Sequence, residues 1–252
     1  MSQSKPTALL YIRATLYYLG FYLSTIVWSL LSLLIAPLLS YRGRFRVISA
    51  VNYFYIFWLR LCCGVKVEVK GRENIPQDGA FVVIANHQSE WETLFFLTLI
   101  RPQTTVLKQE LLKIPFFGWG LRLLKPIALD RSKARGALKQ LLSQGKDRLA
   151  EGIPVLIFPQ GTRVPVGKLG KFNKGGAMLA ASGGVPVLPV VHDAGEYWPG
   201  KSFVKYPGTV TLQIGKPVAT AERSVDEIHT ESVNWMLAAM GAPEGRAEDS
   251  AA

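Results

Sequence analysis

The chain has 252 residues, 49% of them hydrophobic, with 29 Lys and Arg against 18 Asp and Glu for a formal net charge of +11. That length suits one full domain with a smaller appendage, and the charge implies an anionic partner, either nucleic acid or a phospholipid surface. The apolar content and positive mean hydropathy argue against a soluble nucleic-acid binder.

From Ala14 to Tyr41 no residue is charged, and the run from Leu16 to Ala36 exceeds the ~20 residues needed to cross a bilayer. It predicts a membrane helix. A cleaved signal peptide fits less well, because the apolar region is long and no small-x-small site precedes Arg42. Pro37 marks the end, and Arg42, Arg44 and Arg46 follow as a basic collar suited to anionic headgroups on the cytoplasmic side. A second apolar stretch runs over 47–63. On a helical wheel Arg46, Ser49, Asn52 and Arg60 fall within roughly a third of the circumference, which describes a helix lying in the interface. A buried core helix is the alternative, and whether the first helix spans or turns back within one leaflet is open. The neighbouring Cys62 and Cys63 have Cα atoms ~3.8 Å apart, too close for an ordinary disulfide, which suggests a reducing compartment.

Beyond Gly64 short β-rich runs at 65–69, 80–85, 104–107, 126–129, 154–158 and 186–191 alternate with helical segments at 90–100, 117–124, 133–150 and 174–182. The alternation predicts an α/β domain with a largely parallel central sheet flanked by helices. Residues 203–218 read as a terminal hairpin with Pro207-Gly208 at the centre of a type II turn. The chain therefore divides into membrane-anchoring helices at 1–63, the α/β domain at 64–220, and a C-terminal helix with a disordered tail at 221–252.

Two segments carry chemistry. The apolar run ending at Ala85 leads into Asn86-His87-Gln88-Ser89-Glu90-Trp91-Glu92. A neutral imidazole accepts a proton at one nitrogen only when the other is held as a donor, and Glu92, five residues on at a helix start, is placed to hold it. A strand-end histidine that is merely hydrogen-bonded gives the same pattern. The second segment, Pro159-Gln160-Gly161-Thr162-Arg163, follows the strand 155–158. Close backbone approach at Gly161, a hydroxyl donor from Thr162 and the forked charge of Arg163 suit a phosphate at the carboxyl end of a strand.

With these blocks in view the chain resembles the lysophospholipid acyltransferase family, and within it the branch that acylates 1-acyl-glycerol-3-phosphate. Its Asn-His-x-Ser-x-x-Asp block matches Asn86, His87, Ser89 and Glu92. The Lys-x-Glu-Leu…Pro-x-x-Gly block matches Lys108, Glu110, Leu111, Pro115 and Gly118. The Phe-Pro-Glu-Gly-Thr-Arg block matches Phe158, Pro159, Gly161, Thr162 and Arg163, and a Val-Pro-hydrophobic-x-Pro-Val strand matches 185–190. Glu92 replaces the usual aspartate and Gln160 the usual glutamate. The resemblance implies that His87, oriented by Glu92, deprotonates the sn-2 hydroxyl of the acceptor. The hydroxyl then attacks the thioester of acyl-CoA or acyl-carrier protein and phosphatidic acid forms. Lys108, Gly161, Thr162 and Arg163 would hold the acceptor, with Asn86, Ser89 and Gln160 in support and Ser89 as a helix cap rather than a nucleophile. The expected partners are the acyl donor, a lysophospholipid acceptor and the cytoplasmic face of a membrane, with no nucleic acid.

No cofactor is expected. A metal hydrolase would need ligands from only three histidines, His87, His192 and His229, and no His-Glu-x-x-His run exists. A different lysolipid acceptor, such as a lyso-ornithine lipid, and a nonenzymatic membrane adaptor are the rival readings. Phe116, Phe117 and Trp119 read equally as acyl-channel lining or as core. Basic residues Lys133, Arg135, Lys139, Lys146 and Arg148 read as a solvated helix face or a docking patch for an acidic carrier.

Overall fold

Residues 6–130 and 134–241 are described by the computed structural model. The strands are β1 (Val65–Lys70), β2 (Val82–Ala85), β3 (Thr104–Lys108), β4 (Ile127–Leu129), β5 (Val155–Ile157), β6 (Val187–His192) and β7 (Gly208–Ile214). The helices are α1 (Ala8–Ile35), α2 (Tyr41–Ser49), α3 (Val51–Cys63), α4 (Trp91–Leu99), α5 (Phe117–Arg122), α6 (Ala134–Ala150), α7 (Gly175–Gly183), α8 (Ala194–Tyr197) and α9 (Val225–Ala239).

The strands form one sheet in the order β1-β7-β6-β2-β5-β3-β4. Every pairing is parallel except β6 with β7. Strand β2 sits at the centre, and all four of its residues are buried. Alternate side chains go to opposite faces of a strand, so a strand covered on both faces reads as a continuous apolar run. Val83 and Ala85 pack with Tyr55, Leu59, Trp91 and Phe96 on one face, while Val82 and Ile84 pack with Leu141, Leu179 and Met236 on the other. Gly176 of α7 permits that second contact, because a Cβ there would lie 2.7 Å from a methyl of Ile84.

The N-terminal helices share the first of these cores: Tyr17 of α1 and Tyr55, Leu59 and Cys63 of α3 belong to it. Helix α1 is nevertheless apolar on its outer side, with Leu19 66% and Leu34 74% exposed. The second apolar stretch forms two helices rather than one, divided at Ala50, whose amide closes a tight turn onto Val47. Its polar residues also divide: Ser49 and Asn52 are buried against the protein, while Phe54, Phe57 and Leu61 face outward. The other two residues of the expected polar set, Arg46 and Arg60, are exposed, so that set divides between protein and surroundings. Ser49 is turned inward to receive a hydrogen bond from Arg101, and Asn52 donates to the Ser49 carbonyl oxygen. Of the expected basic collar, Arg42 and Arg46 are exposed, whereas Arg44 folds back onto the carbonyl oxygens of Ala36 and Leu39.

The expected hairpin over 203–218 does not form. Gly208 has φ 157°, an extended conformation outside the type II turn, and its N–H bonds to the Gly64 carbonyl oxygen. Strand β7 takes its partners from distant β1 and β6, and the residues before it form a loop. Helix α9 begins with a capping box in which Ser224 and Glu227 exchange side-chain and backbone bonds. The expected tail lies mostly outside the described residues, as do the side chains of Lys133 and Arg135. On the described part of α6, Lys139 and Lys146 are exposed, and Arg148 pairs with Glu151 at 3.0 Å.

Candidate active site

Three adjacent parallel strands, β5, β2 and β6, end on the same side of the sheet and deliver Gln160, His87 and His192 to one region. Open α/β sheets bind ligands beyond the carboxyl ends of such strands. The turn after β2 is closed by Glu92, whose Oε1 accepts from His87 Nδ1 at 2.7 Å and from the backbone N–H groups of Gln88 and Ser89, both at 2.9 Å. One carboxylate oxygen therefore sets both the loop and the imidazole. With Nδ1–H donated to Glu92, His87 Nε2 carries the free lone pair, and it makes no hydrogen bond among the described residues. The ring is seated by Phe158, stacked at 4.4 Å between centroids and 18° between planes.

Glu92 is fully buried. Burial alone would raise its carboxyl. The neighbouring His192, the hydrogen bond from His87 and the Ser89 amide outweigh that, so the group is held below the ordinary carboxylate range and is anionic at neutral pH. His192, missed by sequence reasoning as a site residue, stands behind it with Nε2 4.0 Å from Glu92 Oε2. Burial pushes the His192 imidazole down. Its Nδ1 accepts the Ala194 N–H at 3.3 Å and its Nε2 lies 2.8 Å from the Asn86 carbonyl oxygen, a pattern that fits the neutral Nε2–H tautomer. Asn86 is fully buried. Its side chain exchanges two hydrogen bonds, of 2.8 and 2.9 Å, with the His192 backbone and so locks the ends of β2 and β6 together.

Ser89 is buried and its Oγ accepts the Trp91 N–H at 3.1 Å, at the start of α4. The hydroxyl thus holds the turn just before α4, whose cap residue is Glu90 rather than Ser89. Gln160 bridges the two chemical segments: its Oε1 accepts the His87 N–H at 2.7 Å, and its Nε2 donates to the Leu169 carbonyl oxygen at 2.6 Å. A glutamate could make the first bond in ionised form but not the second. Gly161 turns the loop with φ +70°, and a Cβ there would meet nothing within 4 Å, so the glycine is required by backbone conformation rather than by space.

Arg163 reaches across to the first segment, where Nε donates to the Ser89 carbonyl oxygen at 3.2 Å and Nη1 pairs with Glu90 Oε1 at 2.7 Å. The expected histidine and phosphate segments are therefore in contact. Thr162 is exposed beside Arg163, and Lys108 is exposed at the end of β3, with no hydrogen bond or ion pair to His87 or Arg163 among the described residues. Phe116 and Trp119 pack on each other at 5.2 Å with Trp119 41% exposed, so this aromatic pair is a surface feature rather than core. Among the described residues no group of His, Cys, Asp and Glu is arranged to hold a metal ion.

A buried carboxylate that fixes a histidine at the strand ends of a mostly parallel sheet, with a guanidinium reaching across to the same turn, is an arrangement able to take up a proton at the free ring nitrogen, as α/β enzymes with an acid–base pair do. A family model described as Acyltransferase matches residues 66–193. The chain is 47% identical over 234 residues to a 1-acyl-sn-glycerol-3-phosphate acyltransferase of Pseudomonas aeruginosa, covering 91% of this chain and 90% of that one. A protein of the same description from Saccharomyces cerevisiae is 32% identical over 186 residues, covering 72% and 60%. The crystal structure of the 1-acyl-sn-glycerophosphate (LPA) acyltransferase PlsC from Thermotoga maritima matches with a TM-score of 0.77 at 28% identity, over 91% of this chain and 94% of that chain. The chain belongs to the acyltransferase family and is an enzyme that transfers acyl groups.

Proposed function

We propose that this acyltransferase moves a fatty acyl group from a thioester donor, acyl-CoA or acyl-carrier protein, to the sn-2 hydroxyl of 1-acyl-glycerol-3-phosphate, forming phosphatidic acid. The observation that carries the reading is the 2.7 Å bond from His87 Nδ1 to Glu92, which leaves Nε2 as the proton acceptor. Nε2 takes the hydroxyl proton as the hydroxyl oxygen attacks the thioester carbonyl, and Glu92 stabilises the resulting imidazolium. Collapse of the tetrahedral intermediate breaks the carbon–sulfur bond, and the departing thiolate receives the proton from His87. No enzyme nucleophile is needed, in keeping with the buried, engaged Ser89.

Arg163 is the acceptor-phosphate ligand in this reading, assisted by Lys108 and Thr162. Its guanidinium uses two of its five N–H donors on Ser89 and Glu90, so three remain for a phosphate. Both ends of Gln160 are engaged by backbone groups, so its replacement of the family's glutamate alters bonding within the loop more than headgroup recognition.

The enzyme works at a membrane, on the cytoplasmic side. Helix α1 is long and apolar enough to cross a bilayer by length and composition. It lies along the rest of the protein: Tyr11 stacks on Phe203, Tyr17 meets Trp198 edge to face, and Trp28 donates to the Val47 carbonyl oxygen. A helix held along its length in this way favours burial in one leaflet, with α3 beside it, over a perpendicular span.

The test is acyl transfer by the purified protein in detergent, from labelled acyl-CoA or acyl-carrier protein, to lysophosphatidate beside neutral and zwitterionic lysolipids. His87→Ala should abolish product. Arg163→Ala should raise the lysophosphatidate KM by about tenfold or more and leave the donor KM unchanged. Preference for an acceptor without a phosphomonoester, or equal effects of Arg163→Ala on both KM values, would overturn the reading.

A further inference from the structure

Glu90 lies two positions before Glu92 at the start of α4, yet its carboxylate goes not to His87 but to Arg163, with Oε1 2.7 Å from Nη1. That is the only ion pair or hydrogen bond of the Glu90 side chain among the described residues; its Oε2 is shielded from solvent and has no partner. Withdrawing a carboxylate from water is costly unless its partners repay it. A carboxylate with one partner has its position explained by that partner alone.

Arginine is a long side chain with many rotamers, and a phosphate that binds a mobile one has to order it on arrival. Here three contacts order Arg163 beforehand. Nε donates to the Ser89 carbonyl oxygen at 3.2 Å, and Nη1 meets Glu90. The stem passes beside the turn that the Ser202 N–H closes on the Pro199 carbonyl oxygen, where a Cβ on Gly200 would lie 3.3 Å from Arg163 Cδ. Nη2 makes no hydrogen bond among the described residues and is left for a ligand. Ser89 and Glu90 both belong to the turn that Glu92 ties to His87 through the Ser89 N–H and the imidazole. The guanidinium and the histidine are therefore aligned by one hydrogen-bonded turn.

We propose that Glu90 is the positioning residue of Arg163: by holding Nη1 it fixes the direction in which the guanidinium meets the acceptor phosphate. The inference rests on the reading of Arg163 as the phosphate ligand. Glu90 also carries a negative charge, which alone would repel a phosphate. Its direct contact with the guanidinium offsets that charge, and orientation is the larger effect.

The experiment measures KM separately for lysophosphatidate and for the acyl donor, acyl-CoA or acyl-carrier protein, in the full chain. The variants are Glu90→Ala, Glu90→Gln, Arg163→Ala and the Glu90→Ala, Arg163→Ala pair, with thermal melts to confirm folding. The Glu90 side chain is 33% exposed, so shortening it opens no core cavity. Glu90→Ala should raise the acceptor KM about fivefold to tenfold, with the donor KM within about twofold and kcat within about threefold. Glu90→Gln keeps an oxygen for Nη1 and should recover most of that loss. In the Arg163→Ala background, Glu90→Ala should change the acceptor KM by less than about twofold, whereas a general lesion of the turn would still be felt there. A lowered acceptor KM in Glu90→Ala would mean that the carboxylate competes with the phosphate, and would overturn the proposal. So would an unchanged acceptor KM, a parallel rise in both KM values, or an undiminished effect without Arg163. Should Glu90→Ala fold poorly, Glu90→Asp keeps the charge and shortens the reach: a raised acceptor KM supports positioning and an unchanged one overturns it. Arg163→Ala separates the two claims: an unchanged acceptor KM there refutes the phosphate reading, whereas a raised one beside an inert Glu90→Ala refutes only the inference.

Discussion

Replacing Glu92 by glutamine keeps the side-chain shape and removes the charge that meets the imidazolium. The carboxylate lies in direct contact with His87 at 2.7 Å, and both partners are largely shielded from solvent. With the ring charge about 4 Å from the carboxylate charge and an effective dielectric constant of about 20, the interaction is worth about 4 kcal/mol. Lost from the transition state alone, about 4 kcal/mol corresponds to roughly 10³-fold in kcat. The new amide also has to turn its oxygen to the three donors now on Oε1 and its nitrogen toward His192 Nε2, which lies 4.0 Å from Oε2 and already donates to Asn86. That leaves buried N–H groups unmet, at about 1–3 kcal/mol of stability. The assay is labelled acyl transfer at saturating donor and acceptor, with thermal melts to confirm folding. Glu92→Gln should lose roughly 10³-fold in kcat with both KM values within about threefold, and should add little to His87→Ala, because the pair acts as one unit. A folded Glu92→Gln enzyme that kept more than about a tenth of its kcat, where ~4 kcal/mol is asked of the charge, would refute the argument.

Asn86→Ala removes both bonds to the His192 backbone and leaves a buried N–H and C=O unmatched, so the Tm should fall by roughly 5–15 °C; an unchanged melt would show that the lock between β2 and β6 is dispensable. Lys205 is protonated in the unfolded chain up to ~10.4, so the penalty of its burial is full below its folded value of about 7 and is relieved as the pH rises above it. Wild-type stability relative to Lys205→Met should therefore climb between pH ~7 and ~10, by at most about 1.4 kcal/mol per unit, and a flat difference in urea melts would contradict this. Leu19 and Leu23 are 66% and 62% exposed on the outer side of α1, and changing both to Glu should release the protein from anionic phospholipid vesicles in a flotation assay; unaltered flotation would move the lipid-facing surface elsewhere.

What the sequence reveals follows from distance along the chain. Strands β2, β5 and β6 are continuous apolar runs because both of their faces are covered, and the alternation of strand and helix implies the parallel sheet. The histidine and its carboxylate are legible because five residues separate them and one turn closes on both. Pro207-Gly208 misleads because a turn dipeptide reports only local preference, whereas β7 is claimed by β1 and by β6. His192 and Asn86 are 106 positions apart, and nothing local to either announces their lock. Lys205 is the extreme case: it is buried among the rings of Tyr17 and Tyr18 of α1 and of Trp198 and Phe203 near it in the chain, and a lysine between Val204 and Tyr206 looks like any surface cation. The polar residues of α2 and α3 divide for the same reason, Ser49 and Asn52 meeting protein while Arg46 and Arg60 stay exposed, since a helical wheel separates sides without saying which residues meet protein.

The turn from His87 to Glu92 is tied to itself by three bonds that all end on one oxygen. Bringing together groups five positions apart costs little chain entropy, far less than assembling a base and its orienting acid from remote parts of a chain. The histidine–carboxylate pair is thus self-assembled, whereas the residues proposed to hold the acceptor, Lys108, Thr162 and Arg163, are supplied by separate segments at the end of β3 and after β5. Sequence change can remodel those segments while the pair keeps its alignment.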